Sequence, residues 1–215
     1  GNCGNGSTTD CYLPIKIMDN VRAIAAGNHS LAIQTDGSLW TWGNNSYGQL
    51  GDGTTTDSHI PIKVLDGVVA ASVGATHSFA IKTDGSLWAW GNNDDGQLGD
   101  GTITDHRLPM KFMDNVIKIS AGPNHALAIQ VDGSLWGWGN NDIAQLGDVS
   151  SIDSRSPIKI MDDIVEASGG ERYSMAVKSD GSLWAWGANQ YGQLGNGTTV
   201  NQDSPTKILI KGITN

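Results

Sequence analysis

Asp84-Gly85-Ser86-Leu87-Trp88-Ala89-Trp90-Gly91 decides the reading of this chain. Asp-Gly is a strong hairpin signal, because glycine tolerates the positive φ that a tight turn between strands requires. In Trp88-Ala89-Trp90 successive side chains of a strand alternate, so both indoles point to one face and the small Ala89 to the other. Upstream, His77 to Thr83 alternates as a strand, and Val68 to Val73 is a short apolar run closed by Gly74. Downstream, a long polar loop from Asn92 to Arg107 leads to Pro109-Met110-Lys111-Phe112-Met113. That run reads as a fourth strand, with proline tolerated at its start or at a sheet edge. One stretch thus predicts one four-stranded antiparallel sheet.

The same stretch returns at a fixed period. All eight tryptophans fall in Trp-x-Trp-Gly motifs at Trp40 and Trp42, Trp88 and Trp90, Trp136 and Trp138, and Trp184 and Trp186, 48 residues apart. Asp-Gly-Ser-Leu begins at Asp36, Asp84, Asp132 and Asp180, and Gln-Leu-Gly at Gln49, Gln97, Gln145 and Gln193. Self-similarity at this spacing marks a repeat architecture. Four units are expected at 21–68, 69–116, 117–164 and 165–212, preceded by a partial unit at 1–20, in a single array over 1–215. A sheet with indoles on one face and Thr41, Ala89, Gly137 or Ala185 on the other suits radial stacking, where neighbours bury both faces. The expected fold is an all-β propeller of four-stranded antiparallel blades.

Residues 1–20 match the same portion of the unit as residues 192–211, so the two ends duplicate rather than complement each other. This predicts an open arc or part of a larger ring over a compact four-bladed ring, with open blade edges through which copies could pair. The chain begins Gly1-Asn2-Cys3, without an initiator Met, as expected of a mature product or a piece of something longer.

Composition agrees with short strands and tight turns: 29 glycines in 215 residues, 38% hydrophobic and only 16% charged. A net charge of −9 argues against wrapping nucleic acid or lying on an anionic membrane, since both need basic surface. No apolar run approaches the roughly 20 residues of a membrane span. Cys3 and Cys11, the two cysteines, suggest one local disulfide and hence an oxidising compartment, with free thiols as the alternative.

The run Gly-x-x-His-Ser-x-Ala-Ile-x-x-Asp-Gly-Ser-Leu-Trp-x-Trp-Gly-x-Asn, ending in Gly-Gln-Leu-Gly, resembles the regulator of chromosome condensation repeat family across nearly the whole chain. The resemblance implies blades of about 50 residues, usually about seven to a ring, with binding by loops on the two faces. The Asp-Gly-Ser-Leu-Trp version resembles the bacterial branch, often secreted or surface-exposed, more than the nuclear exchange factor.

Candidate chemistry is sparse. His29, His77 and His125 share one repeat position, with Tyr173 as the fourth copy; equivalent residues could converge on a metal, but a turn-capping or packing role is the simpler reading. The loops Asp52 to Asp57 and Asp100 to Asp105 alternate oxygens as calcium loops do, yet no bidentate Glu follows, and Asx turns explain the same residues. Nucleophile–base pairs, isolated paired carboxylates, P-loops, dinucleotide fingerprints and zinc spacings are not found, and no cofactor is expected. Asn-x-Ser/Thr triplets at Asn5, Asn28, Asn44 and Asn196 decide nothing in so Asn-rich a chain.

What remains are positions that break the repeat. The loop tips Ser46-Tyr47, Asp94-Asp95, Asp142-Ile143 and Gln190-Tyr191 form one set; Thr76, Asn124 and Glu171-Arg172-Tyr173 form a second. Exposed aromatics with acidic neighbours suit a protein partner, so Tyr47, Asp94, Asp95, Asp142, Ile143, Tyr191, Arg172 and Tyr173 are the candidate protein-binding residues. The expected function is a non-enzymatic binding scaffold, extracellular or on the cell surface. Edge-to-edge assembly into a ring or filament and a secreted enzyme inhibitor are the alternatives.

Overall fold

A computed structural model describes residues 3–209. Its sixteen strands form four sheets, each a consecutive antiparallel meander. Blade A comprises β1 (Val21–Ala26), β2 (His29–Gln34), β3 (Leu39–Gly43) and β4 (Ser58–Leu65). Blade B follows with β5 (Val68–Val73), β6 (His77–Lys82), β7 (Leu87–Gly91) and β8 (His106–Met113). Blade C holds β9 (Val116–Ala121), β10 (His125–Gln130), β11 (Leu135–Gly139) and β12 (Ser154–Met161). Blade D ends the array with β13 (Ile164–Gly169), β14 (Tyr173–Lys178), β15 (Leu183–Gly187) and β16 (Gln202–Lys207). The array is open, consistent with part of a larger propeller.

Local chemistry forms each hairpin. Asp84 Oδ1 accepts the backbone N–H of Ser86 at 3.0 Å and its hydroxyl at 2.6 Å, closing the Asp-Gly-Ser turn. The Ser86 hydroxyl in turn accepts the Trp88 indole N–H at 2.9 Å, and Trp136 and Trp184 repeat this on Ser134 and Ser182. The first indole of each pair therefore sits half-buried above its own turn.

The second indole joins the blades. Trp90, Trp138 and Trp186 are fully buried, and their N–H groups donate to the backbone carbonyls of Gln49, Gln97 and Gln145 in the preceding blade at 2.8, 2.9 and 2.8 Å. One core cluster packs Phe79, Ile81 and Leu87 of blade B against Ala126, Ala128 and Trp138 of blade C. Burying an indole in this way contributes about 2–3 kcal/mol, and its hydrogen bond removes the cost of hiding the N–H. Thr41, Ala89 and Ala185 lie fully buried on the opposite face, and at Gly137 a Cβ would come 2.7 Å from Ile160 Cδ1. The small residues leave room for the neighbouring blade.

Prolines 61, 109, 157 and 205 all lie in the last strand of a blade. These strands are edges, where a missing backbone donor breaks no ladder. The first strands contact one another in order, β1 with β5, β5 with β9 and β9 with β13, and so lie innermost.

Residues 11–20 form no strand, although their sequence matches the last strand of a blade: Tyr12 and Leu13 are 90% and 77% exposed. The expected disulfide is corrected, since Cys3 and Cys11 are free thiols. Cys11 is engaged within its own loop, its sulfur 3.7 Å from Asn5 Nδ2 and 3.9 Å from the Thr9 carbonyl. The adjacent Cys3 thiol, followed by desolvation, raises the Cys11 pKa.

Candidate functional site

Each loop tip is positioned by the polar residues that surround it in the repeat. The Gln49 carboxamide accepts the Tyr47 N–H at 2.9 Å and donates to Asn44 Oδ1 at 2.5 Å. Gln97, Gln145 and Gln193 hold the backbone of Asp95, Ile143 and Tyr191 in the same way at 2.9, 2.9 and 3.0 Å. The tip backbone is thereby fixed, and its side chains are left free to differ.

Below the tip, a buried asparagine organises the rest of the loop. Asn93 Nδ2 lies 3.1 Å from Asp100 Oδ1, 3.2 Å from the Thr102 hydroxyl and 3.2 Å from the Thr102 and Thr104 carbonyls. Its Oδ1 accepts the Leu98 N–H at 3.0 Å. Asn45, Asn141 and Asn189 repeat the arrangement. An amide nitrogen thus occupies the centre of the oxygen-rich loop that resembled a calcium site. Asp100, accepting from Thr102, His106 and Asn93, is held below the usual carboxylate range despite the opposing effect of burial.

The repeated histidines are spent on the junctions between blades. His29 Nε2 lies 2.6 Å from Ser78 Oγ, and His125 Nε2 lies 3.1 Å from Ser174 Oγ. His77 is fully buried, with Ala126 at the corresponding position of the next blade. Burial depresses all three, His29 and His125 to about 4 and His77 to about 3.

The two sets of repeat-breaking residues meet in the same clefts. At the junction of blades A and B, Tyr47 and Thr76 line an opening of about 470 Å³ with Asn28, Asn44, Asp57 and His59. Farther along, Asp95, Asn124, Asp142, Glu171 and Arg172 share a cleft of about 350 Å³. Asp94, Asp95 and Asp142 also border a cleft of about 340 Å³ with Asp153, Arg155 and Ile152. At blade D, Tyr191 and Gln190 face Glu171, Arg172 and Tyr173 across about 300 Å³. Ile143 is half-buried at its tip and lines none of these four openings. Burial, followed by the nearby Asp153, Asp142 and Asp94 charges, raises the Asp95 pKa, so this stretch of rim concentrates negative potential.

A glycine makes the approach possible. Gly91, with φ at +104°, ends β7 where a Cβ would lie 2.5 Å from the Thr76 carbonyl and 2.8 Å from His77 Cα. This brings the start of the tip loop against the β5–β6 hairpin of its own blade. The sequence reading missed His59 and Arg155, and met Asp57 and Asp153 only as loop oxygens. The aspartates carry a periodic signal, because Asp57, Asp105 and Asp153 each accept the backbone N–H of the organising asparagine.

The rim lies on a fold shared with known proteins. The structure superposes on human WBSCR16 with a TM-score of 0.84 at 22% identity, covering 98% of this chain and 61% of that one. It matches the structure of Kap60 bound to yeast RCC1 (Prp20) with a TM-score of 0.80 at 26% identity, over 93% of this chain and 51% of that one. A structure of Prp20p from Saccharomyces cerevisiae, described with its binding to Gsp1p and histones, gives 0.78 at 24% identity, covering 93% and 52%. The chain therefore spans about half to three fifths of the length of these proteins. Among curated proteins, none matches the sequence.

These likenesses correct the expected setting. The matched structures are of human and yeast proteins, the yeast ones described with Kap60, Gsp1p and histones, which runs against the bacterial type, the extracellular or cell-surface placement and the secreted-inhibitor alternative. A pattern of Asp-Gly-Ser-Leu-Trp reports blade packing, which is the same in any compartment. The non-enzymatic reading agrees with proteins described by what they bind. Among the described residues no helix is long and apolar enough to cross a membrane. With the model of the RCC1-like domain matching residues 1–215, end to end, the chain belongs to the RCC1-like domain family.

Proposed function

We propose that this chain is a protein-interaction scaffold whose partner seats on the rim where the loop tips meet the first hairpins of the blades. One observation carries the reading: two separate sets of residues that the fold does not require, from loops some 30 positions apart, line common clefts, as Asp95, Asn124, Asp142 and Arg172 do. Tyr47 and Tyr191, 42% and 88% exposed, supply large contact surfaces at small entropic cost. The carboxylates between them favour a basic partner surface, attracted from a distance and held at short range. The binding of the yeast relative to histones and Gsp1p supports protein capture as the task.

Binding of purified core histones by the full chain, at two salt concentrations, tests this reading. A Tyr47→Ala, Ile143→Ala, Tyr191→Ala triple variant and an Asp94→Asn, Asp95→Asn, Asp142→Asn variant are each expected to lose about tenfold or more in affinity while keeping the wild-type melting temperature. The carboxylate variant also loses most of the salt dependence. Unchanged affinity in both folded variants dismisses the rim.

A further inference from the structure

Blades B and C meet at a cleft where apolar and charged departures from the repeat coincide. Ile103 of blade B and Ile152 of blade C line the same opening of about 340 Å³, and they are 50% and 74% exposed. At the other two junctions the repeat gives these positions Thr55 with Thr104, between blades A and B, and Ser151 with Val200, between C and D. Two aliphatic side chains are thus matched at the B–C junction alone. The loop uses Ile152 through its backbone, its carbonyl accepting the Asn141 amide at 3.2 Å and its N–H donating to Ser150 Oγ at 3.3 Å. Thr104 engages Asn93 through the same carbonyl without an aliphatic side chain. The fold therefore does not require the exposed pair.

Around the isoleucines lie Asp94, Asp95, Asp142 and Asp153, with Arg155 as the one cation. The repeat supplies two carboxylates at these four positions between blades A and B, Asp94 and Asp105, and one between C and D, Asp142. Lysines elsewhere neutralise surface carboxylates, as in Lys111–Asp114 and Lys159–Asp162 at 2.7 Å, but among the described residues no ion pair includes the four aspartates of this cleft. Their positions are nonetheless fixed. Asp153 Oδ1 accepts the Asn141 N–H at 2.7 Å, and Asp94 Oδ2 accepts the Asn92 amide at 2.9 Å. Burial, and then the charges of Asp153, Asp142 and Asp94, raise the Asp95 pKa, a repulsion that a cation brought by a partner relieves.

We propose that this cleft anchors the partner on the rim by receiving a protein segment in which an aliphatic side chain lies next to lysine or arginine. The aliphatic group packs between Ile103 and Ile152, and the flanking cations meet the aspartates. This inference rests on the scaffold reading above and narrows it to one junction and one kind of segment. The occupant is argued from charge complementarity: an apolar centre ringed by unpaired carboxylates matches an apolar side chain ringed by cations. Arg155 offsets one of the four negative charges, so a segment with one or two cations suits the cleft better than a long polybasic tract.

Fluorescence polarisation of short synthetic peptides with the full chain tests the proposal. A peptide with leucine between lysine and arginine is expected to bind, and to lose about tenfold in affinity when serine replaces the leucine or glutamate replaces both cations. An Ile103→Thr, Ile152→Thr variant should lose about as much. It keeps the fold, because blade A carries Thr55 and Thr56 at these positions. Asp153→Asn should weaken binding and reduce its salt dependence while the loop stays intact, since Asn201 accepts the Asn189 N–H at the same position of blade D. Absence of peptide binding overturns the proposal, as does binding indifferent to the leucine or to the isoleucine variant. Wild-type dimers that the isoleucine variant abolishes would make a second copy the occupant and overturn it too. Histone capture that the tyrosine and carboxylate variants weaken but the isoleucine variant leaves intact would remove this anchor and keep the rim; histone capture that none of them changes would remove both.

Discussion

His29 reaches across a blade junction to Ser78, its Nε2 2.6 Å from the serine Oγ, and the serine hydroxyl donates to the Gln49 carbonyl at 2.8 Å. The relay recurs 96 residues later as His125, Ser174 and Gln145. Between them it is broken, because Ala126 stands where a serine would receive His77, and both nitrogens of that buried ring are without a partner.

Restoring the hydroxyl should therefore stabilise the protein. Ala126→Ser is expected to raise stability by about 1 kcal/mol, the net worth of one buried hydrogen bond. Ser78→Ala should cost about 1–3 kcal/mol, because it strands a buried histidine. His77→Phe should be tolerated, the ring having no hydrogen bond to lose, whereas His29→Phe should not. Denaturant titrations of the four variants check the order.

The same histidines make the fold labile to acid. Burial holds His29 and His125 at about 4 and His77 at about 3, while in the unfolded chain they take up protons near 6.5. Below that pH the unfolded state binds more protons, so the stabilisation is complete above about 6.5 and drains away as pH falls toward the folded values. The loss by pH 4 is on the order of several kcal/mol. Asp36, Asp84, Asp132 and Asp180, held below the usual carboxylate range first by their serine hydroxyls, extend the decline to lower pH. Melting temperature should drop steadily from pH 7 to 4, with a shallower slope in His77→Phe; a flat profile would contradict the buried neutral rings.

Asn93 is completely buried, its amide at the centre of acceptors. Asn93→Asp replaces a donor with a charge facing Asp100 and two carbonyls, and is expected to destabilise by about 3 kcal/mol or more. Asn189→Asp, facing Asn196 in place of an aspartate, should cost less. Thermal melts of the pair measure the difference.

Glycines of identical repeat position separate local strain from junction packing. Gly99→Ala carries both the left-handed backbone cost, about 1–2 kcal/mol, and a clash 2.9 Å from Trp138, worth about 1–3 kcal/mol more. Gly195→Ala, at a similar φ of +68° with open space around it, carries the first alone. Equal destabilisation of the dilute chain by the two would show that the indole contact contributes nothing.

Much of this was legible in the amino-acid order because it depends on neighbours in sequence. The turn at Asp84-Gly85-Ser86, the alternation of Trp88-Ala89-Trp90 and the restriction of proline to edge strands arise within one blade, and comparison of four copies showed them four times. Face-to-face burial of the indoles followed, because a sheet with large residues on one side and Ala89 or Gly137 on the other has few ways to hide both. Other features required three dimensions. Tyr47 and Thr76, or Asp95 and Asn124, come together only through the stacking of one blade on the next, and the reach of His29 to Ser78 depends on that same registry. Cys3 and Cys11 are free thiols, and a spacing of eight residues does not tell a neighbouring pair of thiols from a disulfide. Hydrophobic alternation states that a face must be covered; which face of which neighbour covers it is settled by close packing between segments about 48 residues apart.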